Sequence, residues 1–326
     1  MVITSLVGRI KRGFTVKLDI EEDYSSKVLI VTGADATYFP LMMELINSIH
    51  MHERGKNLPI GIIDAGLTEN QIERLYQRNC LIRQFVPSSQ KIQHAIKSRE
   101  ALAVNLGKLW LDKLFPEYEL FVFLDADTWV QSWAALELLI GAAAEGGLAI
   151  VSTWNRYRDS FPVHWYWGLI PVFRSFNLKA ASRAALPLSI RKKVSRYPDL
   201  NAGVYALRRD APHWERMRYW QERILKRGRA FTSDGLSMAL VCCIDQLPCQ
   251  RMSSSCNYTL QQQPLYDEFA RKFVDPFYPH QSIGIMHLTG HKTVRSSSDE
   301  TLVFQSILGK SYYLNPRYNE RKYHIS

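Results

Sequence analysis

The sequence predicts a single α/β domain whose mostly parallel central sheet is flanked by helices, and three observations carry that prediction. Strand-like and helix-like segments alternate through the first 80 residues, the rhythm of a doubly wound parallel sheet. The run Phe121 to Leu124 holds no polar residue, as expected of a central strand buried on both faces. Ala134 to Glu145, rich in alanine and leucine, is stopped by Gly146 and Gly147, and the strand-like Leu148 to Ser152 follows.

Taken in order, residues 1–24 mix charges and apolar residues without a firm period and read as an N-terminal extension. Val28 to Val31 is a β-branched run ending in Thr-Gly-Ala-Asp, a first strand and tight turn. Leu41, Leu45, Ile46 and Ile49 recur at helical spacing between Phe39 and His50, with Pro40 suited to the first turn. Leu58 to Ile63 reads as the second strand, and Thr68 with Gln71 opens a helix through Leu75. From Ala101 to Leu114 an apolar helical stripe leaves Lys108 on the other side, where a lone lysine is ordinarily solvated. Residues 154–197 are aromatic and basic, with Trp165, Trp167 and the run Arg191, Lys192, Lys193, a composition suited to a lid, an acceptor groove or a membrane-facing surface. Asp199 to Leu207 reads as a turn feeding a strand from Val204, Pro212 to Lys226 as an amphipathic helix, and Ser233 to Leu240 as another helix. The domain is expected over 25–295, with 296–326 as a polar, basic tail ending in Arg317, Arg321 and Lys322.

Hydrophobic content of 46% and aromatic content of 12% exclude disorder for most of the 326 residues, which suffice for a sizeable core. A formal charge of +10 predicts attraction to polyanions, anionic headgroups or phosphorylated substrates without choosing among them. No apolar run is long enough to span a bilayer and no signal-peptide core precedes a small-residue cleavage site, so a cytoplasmic protein, peripheral to a membrane inner face if bound to one, is expected. The five cysteines lack the paired spacing of a zinc site and are expected to be reduced and mostly buried.

The chemistry is concentrated after Leu124. Asp125 and Asp127 lie two apart, so in an extended backbone their side chains leave on one side and can converge on one ligand. Paired carboxylates repel and lose solvation unless a cation neutralises them, and hard oxygen ligands with open positions suit Mg²⁺ or Mn²⁺ holding a diphosphate. Taken alone, the pair also fits a strand-to-turn junction in which an aspartate caps a following helix.

The order of motifs resembles the retaining glycosyltransferases of family 8, over about residues 28–292. That resemblance implies a GT-A fold, a nucleotide-diphosphate sugar as donor, most often UDP-linked, and Mn²⁺. The segment Val31 to Tyr38 looks like the family's nucleotide-binding turn, with Thr32, Gly33, Ala34, Asp35 and Tyr38 as candidate contacts. There Gly33 and Ala34 admit close approach, Asp35 accepts from base or ribose or else caps a helix, and Tyr38 offers a stacking face. Lys108 stands where the family carries a basic residue near the donor, and Asp125, Ala126 and Asp127 match its metal-binding Asp-x-Asp. His287 stands where the family completes the metal site, followed by Gly290 and Lys292 for the diphosphate. The spacing here is His-x-x-Gly-x-Lys followed by Thr, one residue shorter than the family's His-x-x-Gly-x-x-Lys before Pro. Asn201 and Gly203 fall in the Asn-Ala-Gly segment that leaves room for the donor sugar, and Asp234 is the retained acid where the family has Asp-Gln-Asp. Asp234 is expected to orient the acceptor, to face positive charge at the anomeric carbon, or to serve as a base, and by itself would fit a helix cap.

The expected activity is metal-dependent transfer of a sugar from a UDP-sugar to a hydroxyl of a glycan or lipid-linked acceptor, with retention implied by the resemblance. Asn201, Asp234 and Lys292 are the candidate catalytic residues. A nucleotidyltransferase would carry a glycine-rich phosphate loop with a basic residue after the first strand, which Thr32 to Tyr38 lacks. A polyanion-binding protein would explain the charge but not Asp125, Asp127 and His287, and no nucleic-acid partner is expected.

Overall fold

Alternating strands and helices carry the chain back and forth across one large sheet in a computed structural model that describes residues 27–56, 58–87, 89–153, 163–173 and 175–319. The expected extension at 1–24, residues 154–162 of the aromatic and basic segment, and Arg321 and Lys322 lie outside the described residues. The order is β1 (Val28–Ala34), α1 (Phe39–His50), β2 (Ile60–Asp64), α2 (Glu69–Tyr76), β3 (Leu81–Gln84), α3 (Gln90–Ser98), α4 (Leu102–Gly107), α5 (Leu111–Leu114), β4 (Leu120–Leu124) and β5 (Thr128–Val130). Then come α6 (Ala134–Ala144), β6 (Leu148–Ser152), β7 (Val163–Tyr166), β8 (Ile170–Phe173), α7 (Phe176–Arg183), α8 (Leu188–Val194), β9 (Leu200–Arg208), α9 (His213–Leu225) and α10 (Ser233–Cys243). The chain closes with β10 (Cys249–Met252), β11 (Tyr258–Thr259), β12 (Leu265–Asp267), β13 (Lys272–Val274), β14 (Ile285–His287), α11 (Lys292–Ser296), β15 (Leu302–Gln305) and β16 (Ser311–Leu314).

The main sheet has seven strands in the order β10-β6-β9-β4-β1-β2-β3. It is parallel except at β9, which runs antiparallel to both β4 and β6. The segment Asn201 to Gly203, read from the sequence as a turn, is therefore part of β9, beside an irregularity against β6. Side chains of β4 alternate between two cores: Phe121 and Phe123 face α4, α9 and α10, while Leu120, Val122 and Leu124 face α1 and α6. Burial on both faces is why the strand needs no polar residue. Each fully buried phenylalanine contributes roughly 2–3 kcal/mol.

Two local features follow from sequence chemistry. Thr68 caps α2 with a capping box, Gln71 returning the bond to the Thr68 backbone. The stretch from Ala101, expected as one helix, breaks into α4, a 3₁₀ turn at Lys108–Trp110, and α5. That break changes the direction of the side chains, so Lys108 is 1% exposed instead of solvated. The expected polar tail is also different: β15 and β16 pair as a hairpin that buries Phe304 with Trp129 and Phe273. Trp129 Nε1 donates to the Pro316 carbonyl at 2.8 Å, and Arg317 Nε donates to Glu44 at 3.0 Å. The five cysteines are free, and Cys80, Cys242 and Cys256 are buried. Among the described residues, no helix is long and apolar enough to cross a membrane.

Candidate active site

The C-terminal ends of β1 and β4 open into a cleft of about 1090 Å³ whose lining includes Gly33, Ala34, Asp35, Tyr38, Asp125, Ala126, Asp127, Asn201, Gly203, Asp234 and His287. Crevices at the carboxyl ends of strands are where open α/β sheets bind ligands. β5, not a helix, follows Asp127, so neither acid of the pair is a helix cap. β14 runs antiparallel to β5 with His287 opposite Thr128, and that register sets the imidazole beside Asp127 despite the distance in sequence. Ligand atoms of Asp125, Asp127 and His287 all lie within 4.8 Å of one another.

Each acid meets a cation of the chain. Lys108 Nζ lies 3.0 Å from Asp125 Oδ1 and 3.1 Å from Asp234 Oδ2, donates to the Ala202 carbonyl at 3.2 Å, and sits 4.6 Å from the Phe123 ring centroid. Burial disfavours its ammonium, yet Asp125 and Asp234 hold its pKa above the ordinary lysine value. Arg295 Nη1 lies 3.1 Å from Asp127 Oδ2, and His287 Nε2 lies 3.3 Å from Asp127 Oδ1. Against the cost of burial, His287 and Arg295 hold the Asp127 carboxyl down at about 2. Burial pushes Asp125 above its usual range in spite of Lys108. For His287, burial opposes the charge, but Asp127 and Asp125 hold the imidazole above its ordinary range.

These contacts bear on whether the residues fit a divalent cation. His287 Nδ1 lies 2.9 Å from Asn257 Oδ1, the outer partner that fixes a metal-binding histidine and leaves Nε2 for the ligand. With Nδ1 donating to Asn257, a proton or a cation must lie between Nε2 and the Asp127 carboxylate. Two carboxylates and one imidazole with open positions toward the cleft form a donor set that suits Mn²⁺, and Mg²⁺ less well because of the nitrogen. The residues fit the group.

Gly203 is needed for this convergence. A Cβ there would stand 2.5 Å from His287 Cε1 and 2.8 Å from Asp125 Oδ2. Gly203→Ala is expected to weaken Mn²⁺ binding by at least about tenfold, read by titration of free Mn²⁺; unchanged binding would mean that the site opens without cost. Asn201 Oδ1 accepts from Gly203 N at 3.0 Å, and Asn201 lines the cleft.

Asp234 lies in the first turn of α10, after the cap position at Thr232, and its carboxylate goes to Lys108 and not to the helix end. Asp35 caps the approach to α1, its Oδ1 accepting from Tyr38 N at 2.9 Å, and still lines the cleft. Four predicted residues stand elsewhere. Lys108, expected near the donor, is buried behind Asp125 and Asp234 and does not line the cleft, because the 3₁₀ turn swings it inward. Thr32 is 1% exposed inside the sheet and outside the cleft lining, because it lies mid-strand in β1. Gly290 is exposed at φ +92°, a turn position and not a lining one. Lys292 is exposed outside the cleft lining, and Arg295 supplies the cation facing Asp127. The shortened Gly-x-Lys spacing was the signal for that exchange, since it takes the lysine out of register and leaves the next cation in α11. Gly33 lines the cleft, but a Cβ there would also stand 2.7 Å from the Ile63 carbonyl, a packing reason for glycine. Asn257, invisible to motif reading, was found only by the folded geometry.

Residues 29–159 match the model of the family described as Glycosyl transferase family 8. That match includes Asp125 and Asp127, while Asn201, Asp234 and His287 lie beyond it. No curated protein matches the chain. Among solved structures, the galactosyltransferase LgtC in complex with donor and acceptor sugar analogues aligns at 14% identity with a TM-score of 0.50, covering 81% of this chain and 87% of that one. Mouse xyloside xylosyltransferase 1, apo form, aligns at 12% identity and a TM-score of 0.47, covering 81% and 97%. The bifunctional glycosyltransferase WbbM, apo, aligns at 16% identity and a TM-score of 0.49, covering 83% of this chain and 47% of that one. The LgtC alignment shows the fold to be GT-A. Residues 29–159 are thus similar to family 8, and the fold around them is GT-A.

Proposed function

We propose that the cleft binds a UDP-sugar with Mn²⁺ or Mg²⁺ and transfers the sugar, with retention, to a hydroxyl of a glycan or lipid-linked acceptor. The observation that carries this reading is the convergence of Asp125, Asp127 and His287 beyond the end of β4, in a cleft also lined by Asp234 and Arg295, with Lys108 buried behind Asp125 and Asp234. Asp125, Asp127 and His287 would hold the cation, which supplies positive charge against the departing diphosphate. Arg295, now on Asp127, is the side chain that can turn to a phosphate oxygen. Lys108 holds Asp125 and Asp234 in place, and its buried ammonium fixes their spacing. Asp234 then presents a carboxylate toward positive character at the anomeric carbon, and the Asn201 amide positions the sugar. Retention and the uridine base are supported by the family resemblance. A membrane-peripheral location is supported by the charge of +10, which attracts anionic headgroups.

Two experiments test this reading. Nucleotide sugars screened with Mn²⁺ for thermal stabilisation and slow hydrolysis are expected to give one responding donor class, uridine-linked, that responds only with metal. No response across the panel would overturn the reading. Arg295→Ala is expected to weaken UDP binding by about tenfold or more in calorimetric titrations, whereas Lys292→Ala stays within about twofold. The reverse ranking would return the diphosphate contact to Lys292.

A further inference from the structure

Among the described residues, the β7–β8 hairpin carries exposed apolar side chains. Trp165 is 57% exposed, Trp167 86%, Leu169 80% and Ile170 50%. Trp167 and Gly168 both have positive φ, 51° and 71°, at the tip. A turn needing only that geometry would use small residues at both positions, and an indole held there is unusual. The hairpin leads directly into α7, where Phe176, Lys179 and Arg183 share one exposed helical face and line the cleft. α8 packs beside α7 and exposes Leu188, Lys192 and Lys193, followed by the exposed Arg196. From Val163 through Pro198 the chain has seven Lys or Arg and no Asp or Glu.

We propose that the hairpin tip and the basic faces of α7 and α8 dock on an anionic phospholipid surface, with Trp167 and Leu169 entering the headgroup boundary. Tryptophan and aliphatic residues together at an exposed hairpin tip suit that boundary, and a basic segment without acidic residues suits anionic headgroups. A sugar-binding platform would instead pair the indoles with polar groups in a concave site. Because Phe176, Lys179 and Arg183 belong both to this face and to the cleft, docking would hold the cleft against the lipid. This deepens the proposed function by assigning a lipid-linked acceptor, and rests on that reading only for the acceptor.

The test is co-sedimentation of the full chain with vesicles of phosphatidylcholine, with and without phosphatidylglycerol. The wild type is expected to bind only the anionic vesicles, less at high salt. Trp167→Ser with Leu169→Ser, and separately Lys192→Glu with Lys193→Glu, are each expected to lower that binding by about tenfold or more. Both variants should keep the wild-type melting temperature and its nucleotide-sugar hydrolysis in vesicle-free solution. No wild-type binding at low salt, or wild-type binding by the Trp167 variant, would overturn the proposal. So would a Trp167 variant that loses a soluble glycan but keeps the vesicles, which would make the hairpin a sugar platform. Failure of vesicle binding with hydrolysis intact would leave the glycosyltransferase reading standing, and loss of hydrolysis in the wild type would strike that reading alone.

Discussion

Asp127→Ala is expected to lower metal-dependent turnover of the nucleotide sugar by about 10³-fold or more, a loss of ~4 kcal/mol of transition-state stabilisation. The size follows from its position: Asp127 is 7% exposed and faces both His287 and Arg295. Binding of polyanions should persist or strengthen, because the change removes a negative charge and leaves Arg295 without its partner. Turnover within tenfold of wild type would place the metal elsewhere. Asp127→Asn adds a stability test in metal-free buffer. The folded-state pKa of about 2 lies below the unfolded value near 3.8, so the carboxylate contributes stability above the unfolded value that is lost as pH falls through about 2. The variant is therefore expected to be less stable by ~2 kcal/mol at neutral pH, with the gap closing between about pH 4 and 2 in denaturant titrations. A gap independent of pH would show that packing, not charge, sets it.

Lys108→Met should cost ~3–5 kcal/mol of folding stability, because it leaves Asp125 and Asp234 side by side in a buried site without their shared cation. Methionine retains most of the apolar stem against Phe123, so the charge is the main thing removed. For a chain of this size the melting temperature should fall by roughly 10 °C at pH 7.5. The deficit should shrink as pH falls and the Asp125 carboxylate, already raised by burial, takes up a proton. In the wild type the raised lysine pKa means that its contribution is fully present below the unfolded value of 10.5 and fades only as pH rises through the higher folded value. A variant as stable as the wild type at pH 7.5 would mean that water or rearrangement already satisfies both acids.

Local signals were legible where one element decides them. The bounds of α1 follow from its apolar period and Pro40, α2 from the Thr68 and Gln71 capping box, and β4 from a run with no polar residue. The pairing of Asp125 with Asp127 was legible for the same reason. What required the fold were contacts between distant segments. Lys108 looked solvated because a helical period drawn through 101–114 passes over the 3₁₀ turn that swings it inward, and because its second carboxylate lies on α10. The C-terminal segment looked like a tail because its apolar runs, Leu302 to Phe304 and Tyr312 to Leu314, are short and set among polar residues, and Phe304 and Tyr318 join the Trp129 cluster only after folding. Arg295 was overlooked because a motif assigned the role to a nearby lysine, and side-chain direction in α11 decided otherwise.

Titration of Mn²⁺ against the chain, with free ion followed by electron paramagnetic resonance, tests most directly whether Asp125, Asp127 and His287 hold a cation for a nucleotide diphosphate. One Mn²⁺ per wild-type chain is expected, bound more tightly with UDP present, and binding should fall about tenfold or more in Asp127→Ala and His287→Ala. Binding that is absent in the wild type, or equal in wild type and both variants, would contradict the assignment.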